Sequence, residues 1–165
     1  MSTLNSIRLL LLASWLGAAI FFSAAVAPTA FRVLRAFNLP NASEVAGAIV
    51  SRTLSVVNTS GFVLSVLLLI TAFVLRESYG QLAFILQTIL LLIMGVTTGV
   101  GEWVIAAKMR GLRAAMNTTI DQIPAGDPSR IAFDALHGYS VTALSIAIIA
   151  ALIAFFVVAN RRWMN

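Results

Sequence analysis

The stretch FDALHGYSVTALSIAIIAALIAFF, residues 133–156, decides the fold of this chain. From Ala135 onward it belongs to a longer run, between Asp134 and Arg161, that carries no formal charge. A helix of about 20 apolar residues crosses the hydrocarbon core of a bilayer, so this run is long enough to span a membrane. Lipid offers no hydrogen-bond partners to an open backbone, and the run therefore predicts a transmembrane helix.

Three more charge-free windows precede this one along the chain, and each is also long enough to span a membrane. They lie between Arg8 and Arg32, between Arg52 and Arg76, and between Glu77 and Glu102. The chain is 60% hydrophobic and 10% charged, whereas soluble domains are roughly half apolar and a quarter charged. We therefore predict an all-α fold, a single domain over residues 1–165 that forms an integral membrane four-helix bundle, with spans at about 9–31, 53–75, 81–103 and 135–159.

Both long connections contain helix-start signals well before the apolar runs. Asn41 is a preferred capping residue and Glu44 follows three positions later, which predicts a helix from near Ala42. Asp127 caps free backbone N–H groups and proline is tolerated at a first helical position, which predicts a helix from Pro128. These helices are expected to extend beyond the bilayer on the side of the long connections.

The distribution of basic residues predicts the orientation of the bundle. The side of the long connections carries seven of them, and the side of the termini carries four, namely Arg8, Arg76, Arg161 and Arg162. The positive-inside rule then predicts cytoplasmic long connections and both termini outside. Because the basic residues lie at the ends of the spans, we expect them to meet anionic lipid headgroups and not nucleic acid.

Every predicted span carries a polar residue at a similar height on the long-connection side. On the last helix, Arg130, Asp134 and His137 follow i, i+4, i+7 spacing and share one face. Charged groups within a membrane bundle face its interior or a water-filled cavity and pair with one another. We expect the bundle to gather seven residues into one cluster, the polar collar: Arg32, Arg52, Asn58, Glu102, Arg130, Asp134 and His137.

The polar collar has three interpretations. The first is structural, a ring of salt bridges that fixes the tilt of the helices. The second is a binding site for an anionic headgroup or a small solute. In the third, His137 is an axial ligand of a haem or chlorophyll-type tetrapyrrole, oriented through its other nitrogen by Asp134 or a backbone carbonyl.

Small and hydroxylated residues also line one face of the second helix, at spacings of 4, 3, 4 and 3. They are Ser51, Ser55, Asn58, Phe62 and Ser65. Residues of this kind let membrane helices approach closely, so this face predicts a helix-packing seam. Asn58 needs a partner, because its carboxamide lies several residues inside the span.

The chain lacks the residues of most catalytic and metal sites. It has no cysteine and one histidine, which excludes thiolate metal sites and a haem held by two histidines of this chain. Asp134 and His137 share a helix and no serine lies in a recognisable nucleophile turn, which argues against hydrolysis. We therefore expect no enzyme, no metal site and no cofactor, with a tetrapyrrole as the one alternative.

A basic motif occurs twice, as RVLRA at 32–36 and RGLRA at 110–114. Each copy leaves an apolar span, and each is followed by a capped helix start. This recurrence suggests a duplicated helical hairpin, with its two copies related by an axis along the membrane normal.

Four segments occur in a characteristic order: WLGAAIFFSAAVAPTAF at 15–31, RVLR at 32–35, EWVIAAKMRGLRAAM at 102–116 and FDALHGYS at 133–140. Together they resemble a four-span bacterial family known only as a domain of unknown function and grouped with transmembrane protein 205-like proteins. The resemblance implies a membrane location and no settled activity, and it places Pro28 and His137 at recurrent positions. Ile105 and Ala106 stand where that family usually has a proline.

These patterns predict a non-enzymatic, multi-pass protein of the bacterial cytoplasmic membrane. We expect an accessory or scaffold subunit that acts through other membrane proteins, self-association or lipids. The alternative is a small-ligand-binding membrane protein that holds a tetrapyrrole through His137, or an anionic lipid or solute at the polar collar.

Overall fold

The computed structural model describes residues 3–160 of the chain. Two short 3-10 turns, Arg76–Ser78 and Ile120–Gln122, lie in the connections, and the described residues contain no strand. The main elements are four long helices: α1 Thr3–Ala36, α2 Ala42–Val74, α3 Gln81–Ala115 and α4 Pro128–Ala159. Each is long and apolar enough to cross a membrane, so the predicted all-α bundle of four membrane helices is confirmed.

The helices are longer than a bilayer requires. They contain 32 to 35 residues each, which at 1.5 Å per residue gives a length of about 50 Å. The hydrocarbon core is only about 30 Å thick, so a helix of this length projects beyond it by several turns unless it is strongly tilted. The structure therefore agrees with helices that extend out of the membrane.

The starts of α2 and α4 lie at the predicted residues. Asp127 caps α4, since its carboxylate accepts a hydrogen bond from the backbone N–H of Ser129 at 2.8 Å and another from the hydroxyl of that residue. These bonds hold the pKa of Asp127 below its ordinary value, the side-chain bond most strongly. The prediction that the Asn41 side chain caps α2 is wrong, because this side chain makes no hydrogen bond to the first turn of the helix.

The bundle core depends on small residues and one tight indole contact. α3 packs along both α2 and α4, and α4 buries Ala147, Ala151 and Ala154 completely along one face. Gly61 of α2 lies against the indole of Trp15, where an added Cβ would be 2.8 Å from the ring. Small side chains let the helix axes approach closely, which is how membrane helices gain packing energy in lipid.

Both α1 and α3 contain a π-helical turn. In α1 the turn covers Phe22–Val26, just before Pro28, which lacks a backbone N–H to donate. In α3 it covers Val100–Ala106 and so includes Ile105 and Ala106. Each turn begins ten positions before a copy of the basic motif, and this shared offset supports the duplicated hairpin.

The π-helical turn of α1 separates two halves with different neighbours. The first half, Thr3–Phe21, packs against α4 and α2, whereas the second half, Ala27–Ala36, packs mainly against α2. A π-helical turn shifts the face that the following residues present, because it adds one residue to a helical turn. The ends of α1 and α4 therefore diverge on the long-connection side.

Candidate ligand-binding cavity

A cavity of about 600 Å³ lies among the helices at the long-connection end of the bundle. Small-molecule sites typically measure about 300–1,000 Å³, so the volume suits a small ligand. The apolar part of the wall includes Phe31, Leu54, Met109 and Phe133. The polar part combines serine hydroxyls with charged groups from α1, α2, α3 and α4.

A stripe of small residues on α2 makes room for the cavity. Gly47, Ser51 and Ser55 follow one another at four-residue spacing and all line the wall. A Cβ added at Gly47 would meet no other atom within 4 Å, so the space beside it is open. The predicted packing seam is wrong for Ser51, which is exposed, but Ser55 bonds Glu102 of α3 across the helix contact. Asn58 and Ser65 further along the helix are buried at 3% and 0% exposure.

Glu102 of α3 is the buried acid of the cavity wall, with 7% of its surface exposed. Its Oε1 accepts a hydrogen bond from the Ser55 hydroxyl at 2.9 Å and lies 3.5 Å from Nη1 of Arg110. Its Oε2 is buried and has no hydrogen-bond partner among the described residues. A buried charge without a full set of donors is costly, so this carboxylate has an unmet demand for a hydrogen-bond donor.

The α4 members of the polar collar also line the cavity, but only two of them pair. Arg130 Nε lies 3.7 Å from the carboxylate of Asp134, and Arg130 Nη1 donates to the backbone oxygens of Ile120 and Ile123 at 2.6 and 3.2 Å. His137 is exposed, and no hydrogen bond between its imidazole and the described part of the chain is formed. The imidazole is thus available to a ligand.

The loop between α3 and α4 contributes Ile120 to the cavity wall. Arg113 binds both carboxylate oxygens of Glu44, at 2.8 and 2.6 Å, and donates to the Thr118 oxygen at 2.8 Å. Glu44 also accepts the backbone N–H of Ile120 at 3.3 Å. These bonds hold Ile120 in the wall with only 9% of its surface exposed.

The remaining collar residues do not enter the cavity. Arg32 and Arg52 are exposed and are not part of the wall, so the bundle does not gather all seven residues into one cluster. Asn58 is buried below the cavity beside Gly101, where an added Cβ would be 3.1 Å from its Nδ2. The backbone of α3 is therefore the close neighbour of this carboxamide.

Sequence reasoning misses two features of the site. The spacing between Asn41 and Glu44 predicts that Glu44 belongs to a helix cap. The Glu44 carboxylate instead binds Arg113, which lies 69 residues away in the sequence. The small-residue stripe is visible in the sequence as glycine and serine at i, i+4, i+8. Nothing local distinguishes a stripe that lines a cavity from one that packs against another helix.

Residues of α1 and α4 both belong to the wall of the cavity. Phe31 of α1 and His137 of α4 both line the wall, although the second half of α1 packs mainly against α2. His137 lies nine residues into α4, about 14 Å from its start, near the predicted beginning of the apolar span. The part of the wall that contains His137 thus lies near the start of the predicted span, and Ile120 of the α3–α4 loop belongs to the same wall.

A second polar network lies at the opposite end of the bundle, and no pattern in the sequence indicates it. Arg8 is 2% exposed and donates to the Tyr79 hydroxyl at 2.7 Å, the Gln87 oxygen at 3.1 Å and the Leu68 carbonyl at 3.3 Å. Tyr79 in turn donates to Asn5 Oδ1 at 2.6 Å. Within residues 3–160, no carboxylate pairs with Arg8.

The chemistry of this network depends on a protonated phenol. Burial raises the pKa of Tyr79 above its ordinary value, and the neighbouring Arg8 lowers it in part. The neutral phenol can donate one hydrogen bond and accept another, which is how Tyr79 links Asn5 to Arg8. The network joins α1, α2, α3 and the α2–α3 connection.

Comparison with known proteins identifies one relationship. A family model described as a domain of unknown function, DUF4149, matches residues 10–118. No curated protein and no solved structure matches the chain. The matched segment includes Glu44, Gly47 and Glu102, and it ends before α4, so His137 lies outside it.

Proposed function

Because this chain belongs to the DUF4149 family, whose function is unknown, we propose its function from the cavity: it is a non-enzymatic integral membrane protein that binds a small amphiphilic ligand. One observation carries the proposal. The cavity wall holds a buried carboxylate with an oxygen that lacks a donor, Glu102 Oε2, and an imidazole without a protein partner among the described residues, His137. Unsatisfied polar groups that converge on a cavity are characteristic of binding sites.

The composition of the cavity wall supports an amphiphile over a water-soluble solute. Phe31 of α1 and Phe133 of α4 supply apolar surface, and Ile120 belongs to the wall from the loop that Glu44 and Arg113 hold in place. Charged groups of all four helices line the same cavity. A molecule with an apolar part and a charged part suits a wall of this mixed composition.

We further propose that the protein lies in a bacterial cytoplasmic membrane, is related to transmembrane protein 205-like proteins and has cytoplasmic long connections. Seven basic residues against four support this orientation. Since the chain has no cysteine, Asn117→Cys and Glu77→Cys create single labelling sites on opposite sides. A membrane-impermeant maleimide should label only the Glu77 variant in intact cells. Labelling of only the Asn117 variant would contradict this orientation and indicate the opposite one.

A cavity-filling substitution tests the binding function. Gly47→Trp places an indole in the open space of the wall, whereas Gly17→Trp adds the same side chain at an exposed position of α1 where a Cβ also meets no atom within 4 Å. Native mass spectrometry of protein released from its own membranes should show a bound amphiphile in wild type and in the Gly17 variant, and reduced occupancy in the Gly47 variant. Equal occupancy in all three proteins would contradict the proposal.

A protein purified without any bound amphiphile would also contradict ligand binding. The accessory-subunit interpretation would then be favoured. Co-purification of another membrane protein at fixed stoichiometry would support that interpretation and identify the partner.

The free imidazole of His137 favours one further candidate, a tetrapyrrole held by axial ligation. A bound tetrapyrrole would absorb visible light, and a haem would also supply electron transfer. Wild-type protein should then be coloured, and His137→Gln should remove the absorption without reducing the yield of folded protein. A colourless wild-type preparation would exclude this candidate and leave the amphiphile proposal standing.

A further inference from the structure

We propose that the cavity selects a zwitterionic headgroup of the phosphoethanolamine type, with the ammonium at Glu102 and the phosphate at Arg110 and Arg35. This inference rests on the proposed ligand binding and names its chemical class. It follows from a comparison of the charged residues in the wall. Some of them are already paired with other protein groups, and the others are available to a ligand.

The acids of the wall differ in how fully they are paired. Glu44 binds Arg113 through two short hydrogen bonds, and Asp134 pairs with Arg130 on its own helix. Glu102 has the hydroxyl of Ser55 and a 3.5 Å contact with Arg110, whose side chain is 60% exposed. Glu102 is thus the most buried of the three acids, and its Oε2 has no hydrogen-bond donor among the described residues.

A primary ammonium suits this carboxylate. It carries a full positive charge and three N–H donors on one atom, so it can bind both oxygens of Glu102, including the one without a donor. A charge-assisted hydrogen bond of this kind is stronger than a neutral one. A quaternary choline group has the charge but no N–H, and it leaves Oε2 unsatisfied.

The basic residues of the wall show the complementary pattern. Arg113 donates hydrogen bonds to Glu44 and to the Thr118 backbone oxygen. Arg130 pairs with Asp134 and donates to two backbone oxygens. The guanidinium of Arg35 lies over the Phe31 ring at 5.6 Å, and its residue is exposed. Arg35 and Arg110 are therefore the cations of the wall that remain available to a phosphate.

The two residues assigned to the opposite charges of the headgroup, Glu102 and Arg110, are neighbours in the wall. Arg110 Nη1 lies 3.5 Å from Glu102 Oε1, so a cationic and an anionic group joined by a two-carbon bridge reach both residues at once. The ammonium replaces Arg110 at Glu102, and Arg110 turns to the phosphate. The exchange leaves no buried charge unpaired, as burial in low dielectric requires. An anionic head without an amine would instead bring negative charge towards Glu102.

Lipid competition in nanodiscs tests this selectivity. Wild-type protein is placed in discs with equal amounts of phosphatidylethanolamine, phosphatidylcholine and phosphatidylglycerol of the same acyl chains, and the lipids retained on ejection are counted by native mass spectrometry. We expect preferential retention of phosphatidylethanolamine over both others. Preference for phosphatidylglycerol, or equal retention of the three lipids, would overturn the inference.

Two variants connect the selectivity to the named residues. Glu102→Gln keeps the shape of the side chain but removes its charge, and it should lower the preference for phosphatidylethanolamine about tenfold, the effect of losing about 1.4 kcal/mol. Arg52→Gln removes an exposed charge that is not part of the wall and should leave the preference unchanged. An unchanged preference in the Glu102 variant would refute the role of this carboxylate.

The outcomes separate the inference from the proposed function. If the cavity binds lipids without selecting among the three heads, and Gly47→Trp lowers that binding, the proposed function stands and the headgroup assignment fails. If Gly47→Trp leaves lipid retention unchanged, the cavity is not the binding site and both fail.

Discussion

Removing one hydroxyl should destabilise the bundle measurably, because Tyr79 links two buried polar groups. Its phenol accepts a hydrogen bond from Arg8 at 2.7 Å and donates one to Asn5 at 2.6 Å. Both partners are almost completely buried, at 2% and 0% exposure. Tyr79→Phe keeps the ring and deletes both hydrogen bonds, so the change in stability reports on these bonds and not on packing.

The expected magnitude follows from the two bonds. Hydrogen bonds between membrane helices average about 0.6 kcal/mol and reach about 1.7 kcal/mol, less than burial alone suggests, because the unfolded chain in lipid also finds partners. The bond from Arg8 is charge-assisted and belongs at the upper end of that range, whereas the bond to Asn5 is neutral. We therefore expect Tyr79→Phe to lower the free energy of unfolding by about 2 kcal/mol.

The chain contains a matched control. Tyr139 is the only other tyrosine, and it is 64% exposed on α4. Reversible unfolding in bicelles, driven by added dodecyl sulfate, should show a loss of about 2 kcal/mol for Tyr79→Phe and a change within about 0.5 kcal/mol for Tyr139→Phe. Equal effects of the two substitutions would refute the claim that the buried network stabilises the fold.

Three further predictions concern packing, pH and the α3–α4 loop. Gly61→Ala places a Cβ against the Trp15 ring and should lower the free energy of unfolding by about 1–3 kcal/mol; Gly17→Ala, in open space, should not lower it. Since the pKa of Asp127 is depressed in the folded protein, its cap stabilises α4 above the ordinary value of 3.8 and is lost as pH falls through the folded pKa. The protection of amides in the first turn of α4, measured as the exchange rate relative to the intrinsic rate at the same pH, should fall on acidification in wild type and not in Asp127→Ala. Protection that is independent of pH in wild type would contradict the cap. Glu44→Ala removes the acceptor that holds the loop, so amide exchange in the loop should accelerate about tenfold, and an unchanged rate would show that other contacts hold it.

The cavity was only partly predictable because its formation depends on how helices pack. The i, i+4, i+7 spacing correctly placed Arg130, Asp134 and His137 on one side of α4, and Glu102 does join them at the wall. Height along a helix can be counted in residues, but rotation about the helix axis is decided by neighbours. Arg32 and Arg52 have the right height and face outward.

By itself the sequence determined the number of membrane helices and the starts of two of them. The number of helices is a local feature, because a charge-free run long enough to cross the bilayer has one stable arrangement in lipid. The start of α4 is local too, because its capping carboxylate acts within its own turn, whereas the start of α2 was predicted at the right residue although the Asn41 side chain does not cap it. Only the tertiary structure decided which polar groups meet. Arg8 and Tyr79 are 71 residues apart, and their contact depends on how α1 and the α2–α3 connection pack, since a buried polar group must find its partner in whichever segment the packing brings close.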